Sequence, residues 1–87
     1  MQKVLFRGEI FRECDLYVGL CPELNVSSFG ETIDEARRSL HEAVEAFIEA
    51  CEAMDTFEEV MEEAGFVKEY DTWVSRKPIK EELLSVG

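Results

Sequence analysis

The chain has 87 residues, and 46% of them are hydrophobic. A chain of this length buries one core, so we expect a single domain over residues 1–87. Twenty Asp and Glu against nine Lys and Arg give a formal net charge of −11 at pH 7. This balance argues against direct binding to nucleic acid, since phosphate contacts depend on Lys and Arg, and it favours a basic partner. Acidity can also serve solubility alone, and that alternative stays open.

The short apolar runs and the odd number of cysteines indicate the compartment in which the protein resides. The longer apolar runs, such as residues 4–6 and 16–20, are too short to cross a bilayer or to form the core of a secretory signal. Cys14, Cys21 and Cys51 lack C-x-x-C spacing, which favours reduced thiols over disulfides or a zinc site. Cys21 is the thiol that we expect to be exposed. We therefore expect a cytoplasmic protein with no metal or other cofactor and no membrane partner.

The first third of the chain is rich in strand-forming residues. Residues 3–11 alternate between two faces, which predicts one strand. Residues 12–15 break this pattern and residues 16–20 resume it, so the two runs predict an antiparallel hairpin. Residues 24–28 predict a third, short strand after Pro22 ends the second.

Two helices and a final strand follow. Residues 29–32 form a helix-entry signal, in which Thr32 can cap a helix that starts at about Ile33 and Glu35 can complete a capping box. Apolar residues then recur at helical spacing as far as Cys51. A second, shorter helix should end at Gly65. Residues 66–74 predict a last strand, followed by a polar tail.

This order predicts the α+β class, with an antiparallel sheet of three to four strands and a long helix packed on one face. Both faces of the first two strands carry apolar side chains, so one helix layer cannot cover all of them. We expect a surface for self-association or for a partner at Leu5, Phe11, Leu16, Val18 and Trp73. A homodimer or a higher homo-oligomer is the simplest way to cover such a surface.

Residues 17–46 read YVGLCPELNVSSFGETIDEARRSLHEAVEA. A strand ends in Pro22-Glu23-Leu24, a Gly30-Glu31-Thr32 turn follows, and the helix carries the pairs Glu35-Ala36 and Glu42-Ala43. In these features the segment resembles the N-terminal domain of HicB-type antitoxins, including standalone members of similar length.

The resemblance implies a domain similar to a reduced RNase H fold that binds and masks a small basic HicA-type toxin, an mRNA-degrading protein. It implies binding and not catalysis, so we do not expect an enzyme. Many HicB proteins add a C-terminal DNA-binding domain. Only twelve residues follow Ser75, which is too few for such a domain.

Residues 31–63 contain twelve Asp or Glu and only two Arg, an arrangement that would steer a basic partner. We expect this helix face and the strand surface beside it to cover the partner together. The predicted electrostatic contacts are Glu35, Glu42, Glu45 and Glu49. The predicted apolar contacts, for the partner or for self-association, are Leu16, Val18 and Trp73.

Two alternatives stay open. The first is a structural or regulatory homo-oligomer that has no toxin partner. The second is a residual metal-dependent nuclease, which only the RNase H resemblance suggests. The spacing of the strand carboxylates is irregular, and it favours surface charge over a metal site for Glu9, Glu13, Asp15 and Glu23. His41, the single histidine, is expected to be exposed and not catalytic.

Overall fold

A computed structural model describes residues 2–87, which form six strands and two helices. In chain order these are β1 (Lys3–Leu5), β2 (Glu9–Glu13), β3 (Leu16–Cys21), β4 (Val26–Gly30), α1 (Ile33–Ala53), α2 (Phe57–Glu63), β5 (Val67–Glu69) and β6 (Thr72–Val74). Strands β2, β3 and β4 form an antiparallel sheet in that order, and β1, β6 and β5 form a second sheet. The predicted α+β class and the long helix on a sheet are confirmed.

The segment predicted as one strand over residues 3–11 serves both sheets. Its first part, β1, pairs in parallel with β6, and its second part, β2, pairs with β3. The alternation of faces continues across the break at residues 6–8, because Val4 and Phe6 pack against the core while Leu5 is half exposed. The prediction was therefore right about the faces and wrong about the continuity.

Two further strand predictions need correction. The last strand, predicted over residues 66–74, is a hairpin of β5 and β6 that turns at Tyr70 with a φ of 59°. The third strand lies two residues later than predicted, so Phe29 belongs to β4 and not to the helix entry. Pairing with β3 decides this register, since it places Phe29 opposite Val18.

The ends of α1 are closed by local hydrogen bonds. The backbone N–H of Glu35 donates to Thr32 Oγ1 over 3.0 Å, which confirms the predicted N-cap. At the other end, Asp55 adopts a φ of 59°, and two successive N–H groups donate back to carbonyls of the last turn. This is a Schellman motif with Asp at the position that Gly usually occupies. α2 ends in the same motif at Gly65, as predicted.

The core lies between the sheets and the two helices. Its buried members are Cys21, Leu24, Leu40, Val44, Ile48, Cys51, Phe57, Met61, Phe66 and Trp73. Trp73 was predicted to lie on a surface, but it is only 3% exposed. Its ring meets that of Phe57 edge to face at 5.8 Å, and its Nε1 donates to Gln2 Oε1 over 2.9 Å. The prediction for Trp73 was wrong because Phe57, the first residue of α2, covers this side of β6.

Candidate protein-binding surfaces

The first candidate surface is the outer side of α1. We define the acidic helix face as Glu35, Glu42, Glu45 and Glu49, which are all exposed. Their spacing of seven, three and four residues places them on one side of the helix. The buried positions of α1, among them Leu40 and Val44, point the opposite way into the core. The structure therefore brings the four predicted carboxylates together.

Little positive charge lies close to the acidic helix face. In the part of the chain that the structure describes, the ion pairs are Arg7–Glu23, Arg7–Glu81, Arg37–Asp34 and Lys80–Glu82. None of them uses a carboxylate of this face. Arg38 lies between Glu35 and Glu42 along the same side, so one base lies among the four acids. The face therefore presents a negative field to solvent.

The stability of α1 does not explain the positions of Glu45 and Glu49. Glu45 and Glu49 are four residues apart, and like charges at this spacing cost a helix a few tenths of a kcal/mol, ~0.2–0.5 kcal/mol. The last turn contains no basic residue, although positive charge is what the helix dipole favours there. Asp34 and Glu35, in the first turn, are the only acids placed where the dipole stabilises them.

The second candidate surface lies on the β2–β3–β4 sheet. Phe11, Val18 and Phe29 form a row across the three strands, since the register pairs Val18 with each of the others. Leu16 lies two residues from Val18 and shares its side. We name these four residues the apolar sheet face. Phe29 is 64% exposed, Phe11 51% and Leu16 40%, and such a patch is typical of an interaction site.

Sequence reasoning found part of this face. It predicted Leu16 and Val18 as contacts and Phe11 as an uncovered side chain, and the structure places all three together. It missed Phe29, because residues 29–32 also form a helix-entry signal. A strand over residues 26–30 places Val26, Ser28 and Gly30 on one side. That alternation could have predicted that Phe29 lies on the other side, with Val18. Leu5, also half exposed, lies on the second sheet and not on this face.

The two surfaces point away from each other. Helix α1 packs on the inner side of the sheet, where a β-carbon added at Gly19 would lie 3.0 Å from the Ala36 carbonyl oxygen. The apolar sheet face lies on the outer side of the sheet, and the acidic helix face lies on the outer side of α1. The predicted electrostatic contacts and the predicted sheet contacts therefore lie on opposite sides of the molecule, separated by a sheet and a helix layer.

Glu23 is not the surface charge that its position in the sequence suggested. Its side chain is only 13% exposed and lies 3.5 Å from Arg7. One carboxylate oxygen accepts a hydrogen bond from the Ser75 hydroxyl, and the other has no hydrogen-bond partner among residues 2–87. These contacts connect the turn after β3 to the end of β6, so we interpret Glu23 as structural.

Cys21 is fully buried, and the exposed thiol is Cys14, which reverses the expectation from sequence. Burial raises the pKa of the Cys21 thiol above its ordinary value of 9.0, and the charge of Glu23 adds to the increase, while the backbone N–H of Leu24 opposes it. Cys21 is therefore a protonated core residue. His41 is exposed, as predicted, and lies beside Phe6.

Within residues 2–87, no group of three or more His, Cys, Asp or Glu is arranged to hold a metal ion. Neither α1 nor α2 combines the length and the apolar character needed to cross a bilayer.

Comparisons with known proteins identify no relative of this chain. No protein-family model, curated protein or solved structure matches the chain. The resemblance to HicB-type antitoxins therefore depends on residues 17–46 alone and stays a prediction.

Proposed function

We propose that this protein is a binding module that covers a small basic protein, as HicB-type antitoxins cover HicA-type toxins. The observation that carries the proposal is the acidic helix face, whose four carboxylates are exposed, lie on one side of α1 and form no ion pair within the described residues 2–87. A surface of this kind accelerates encounter with a basic partner and fixes its orientation. It requires no catalytic group.

The acids on the outer side of α1 extend over about four turns, from Glu35 to Glu49. That length, about 21 Å at 1.5 Å per residue, suits a partner that lies along the helix. Neither the N-cap nor the dipole requires acids in the second half of α1. Selection for a basic partner explains their placement better than helix stability does.

The test is a pull-down from the source cells with three forms of the tagged chain. These are the wild type, the double reversal Glu42→Lys with Glu49→Lys, and a control with Glu58→Lys and Glu62→Lys on α2. Both variants change the net charge by the same amount at exposed positions, so only the location of the charge differs between them.

We expect the wild type and the control to retain a small basic protein in equal molar amount at low salt and to release it at high salt. The α1 variant should bind that purified protein at least about tenfold more weakly, a loss of ~1.4 kcal/mol. Equal affinity of the wild type and the α1 variant would contradict the proposal.

The alternative, a homo-oligomer without a toxin partner, is favoured by a different observation. The apolar sheet face exposes Phe11 and Phe29 on the side away from the acidic helix face. Self-association through one surface leaves the other free, so the two functions are compatible in one molecule.

A further inference from the structure

The chain ends in a segment that exposes a second set of apolar side chains. Residues 76–87, the C-terminal arm, form neither helix nor strand. The exposed fraction is 82% for Leu84 and above 100% for Ile79, Leu83 and Val86. Side chains this exposed make no packing contact with their own chain. The molecule therefore has two apolar surfaces without a partner, the arm and the apolar sheet face.

The arm has the pattern of a short amphipathic helix. Ile79, Leu83 and Val86 are separated by four and three residues, so they would share one side of a helix. Pro78 precedes them, and proline is favoured in the first turn of a helix. A helix of this length is marginal in water and needs a surface to pack against.

The first five residues of the arm and the border of the apolar sheet face carry complementary charges. Arg76, Lys77 and Lys80 place three of the nine basic residues of the chain within five positions. On the sheet, Glu9 and Glu13 flank Phe11 along β2 and share its side, because they alternate with the inward residues. Glu81 and Glu82 follow, so the arm is basic only in its first part, and that part suits the acidic border of the apolar face.

We propose that the C-terminal arm of one copy packs as a short helix on the apolar sheet face of a second copy. The arm of the second copy packs in the same way on the apolar sheet face of the first. In the single chain the arm leaves β6 beside Arg7, which lies 3.8 Å from Glu81, and its apolar side chains stay in solvent. A reciprocal exchange covers both surfaces of both copies with one two-fold interface.

The interface can reach the size of a typical specific dimer. In each copy the contact buries the three arm side chains that share one side of a helix and the four side chains of the sheet face, of which Val18 is already partly covered. Side chains of this kind bury about 60–120 Å² each, so seven bury about 420–840 Å² per copy, and the upper end of that range reaches the roughly 800 Å² per partner of a typical specific complex. The acidic helix face takes no part, so this inference does not depend on the proposed function.

The test measures the mass of the purified full chain by light scattering after gel filtration over a range of concentrations. We expect the wild type to have twice its 10.0 kDa chain mass. The arm variant Leu83→Glu with Val86→Glu and the face variant Phe29→Glu should both be monomeric. The control Met54→Glu changes an apolar residue that is 71% exposed outside both surfaces, and it should stay dimeric.

Mixing the two disrupted variants distinguishes exchange from other contacts. The arm variant keeps an intact face and the face variant keeps an intact arm, so together they form one good contact and should yield a heterodimer. A face-to-face dimer predicts instead that the arm variant stays dimeric, and an arm folded onto its own chain predicts a monomeric wild type. Either of those results, or a mixture that stays monomeric, would overturn the proposal. Circular dichroism confirms that each variant is folded.

Discussion

At the scale of single residues, the burial of Cys21 and Glu23 determines their chemical properties, and their positions in the sequence did not predict this burial. Cys21 ends β3 directly before a proline, a place where a thiol could be exposed, and yet it is fully buried against the core. Glu23, two residues on, lies almost inside the protein beside Arg7. Neither residue belongs to a candidate binding surface.

The raised pKa of Cys21 predicts a specific dependence of stability on pH. A pKa that is higher in the folded state means that the thiol loses its proton more easily once the chain unfolds. The free energy of unfolding that this group contributes is complete below the ordinary pKa of 9.0. It is lost as the pH rises from there through the folded-state pKa.

Urea unfolding of the wild type and of Cys21→Ala between pH 8 and pH 10 measures this contribution. The variant loses packing at every pH, so the quantity to compare is the change in unfolding free energy across the range. We expect a smaller decline in the variant. Parallel curves for the two proteins would show that Cys21 does not contribute to the alkaline loss of stability.

At the scale of secondary-structure elements, the closeness of α1 to the sheet depends on glycine. A β-carbon added at Gly30 would lie 2.6 Å from the backbone nitrogen of Ala36 and 2.6 Å from Glu35 Cβ. Gly30 has no positive φ, so its role is not the chain turn that the sequence suggested. It permits the first turn of α1 to pack against the end of β4.

We therefore expect Gly30→Ala to lower the free energy of unfolding by about 2–3 kcal/mol, because backbone atoms cannot move aside as a flexible side chain can. Gly8→Ala is the matched control. Its added carbon would meet only the Cδ2 end of Leu40, at 3.1 Å, and it should change stability by less than about 1 kcal/mol. Urea denaturation followed by circular dichroism provides both values, and equal losses would refute this explanation of Gly30.

At the scale of the whole molecule, one layer of sheet and one of helix separate two surfaces with different character. The acidic helix face is polar and suits steering of a basic partner. The apolar sheet face is hydrophobic and suits a permanent contact between copies. Under the two proposals above, the chain would bind a basic partner through one surface and a second copy through the other.

This separation predicts independent effects of mutation. Charge reversal at Glu42 and Glu49 should weaken binding of the basic partner without changing the mass of the oligomer. Phe29→Glu should lower the mass of the oligomer without changing the affinity for the basic partner. Light scattering and titration calorimetry on the same two samples provide the four values. Loss of partner affinity in Phe29→Glu by more than about threefold, ~0.7 kcal/mol, would show that the surfaces are coupled.

The sequence by itself determined those features that depend on local periodicity and capping. The 3.6-residue repeat of α1, the Thr32 cap, the stop at Gly65 and the alternation of faces before Phe11 were all predictable, because each depends on neighbours a few residues apart. The exposed acids of the helix were predictable for the same reason.

Only the tertiary structure decided which strands pair and which side of each strand is covered. It divided residues 3–11 between two sheets, placed Trp73 in the core and moved Phe29 to an exposed row. Those outcomes depend on contacts between residues far apart in the chain, and a shift of one residue in a strand exchanges its two faces. The sequence defines the periodicity of each element, and the packing of the elements decides which side remains open to a partner.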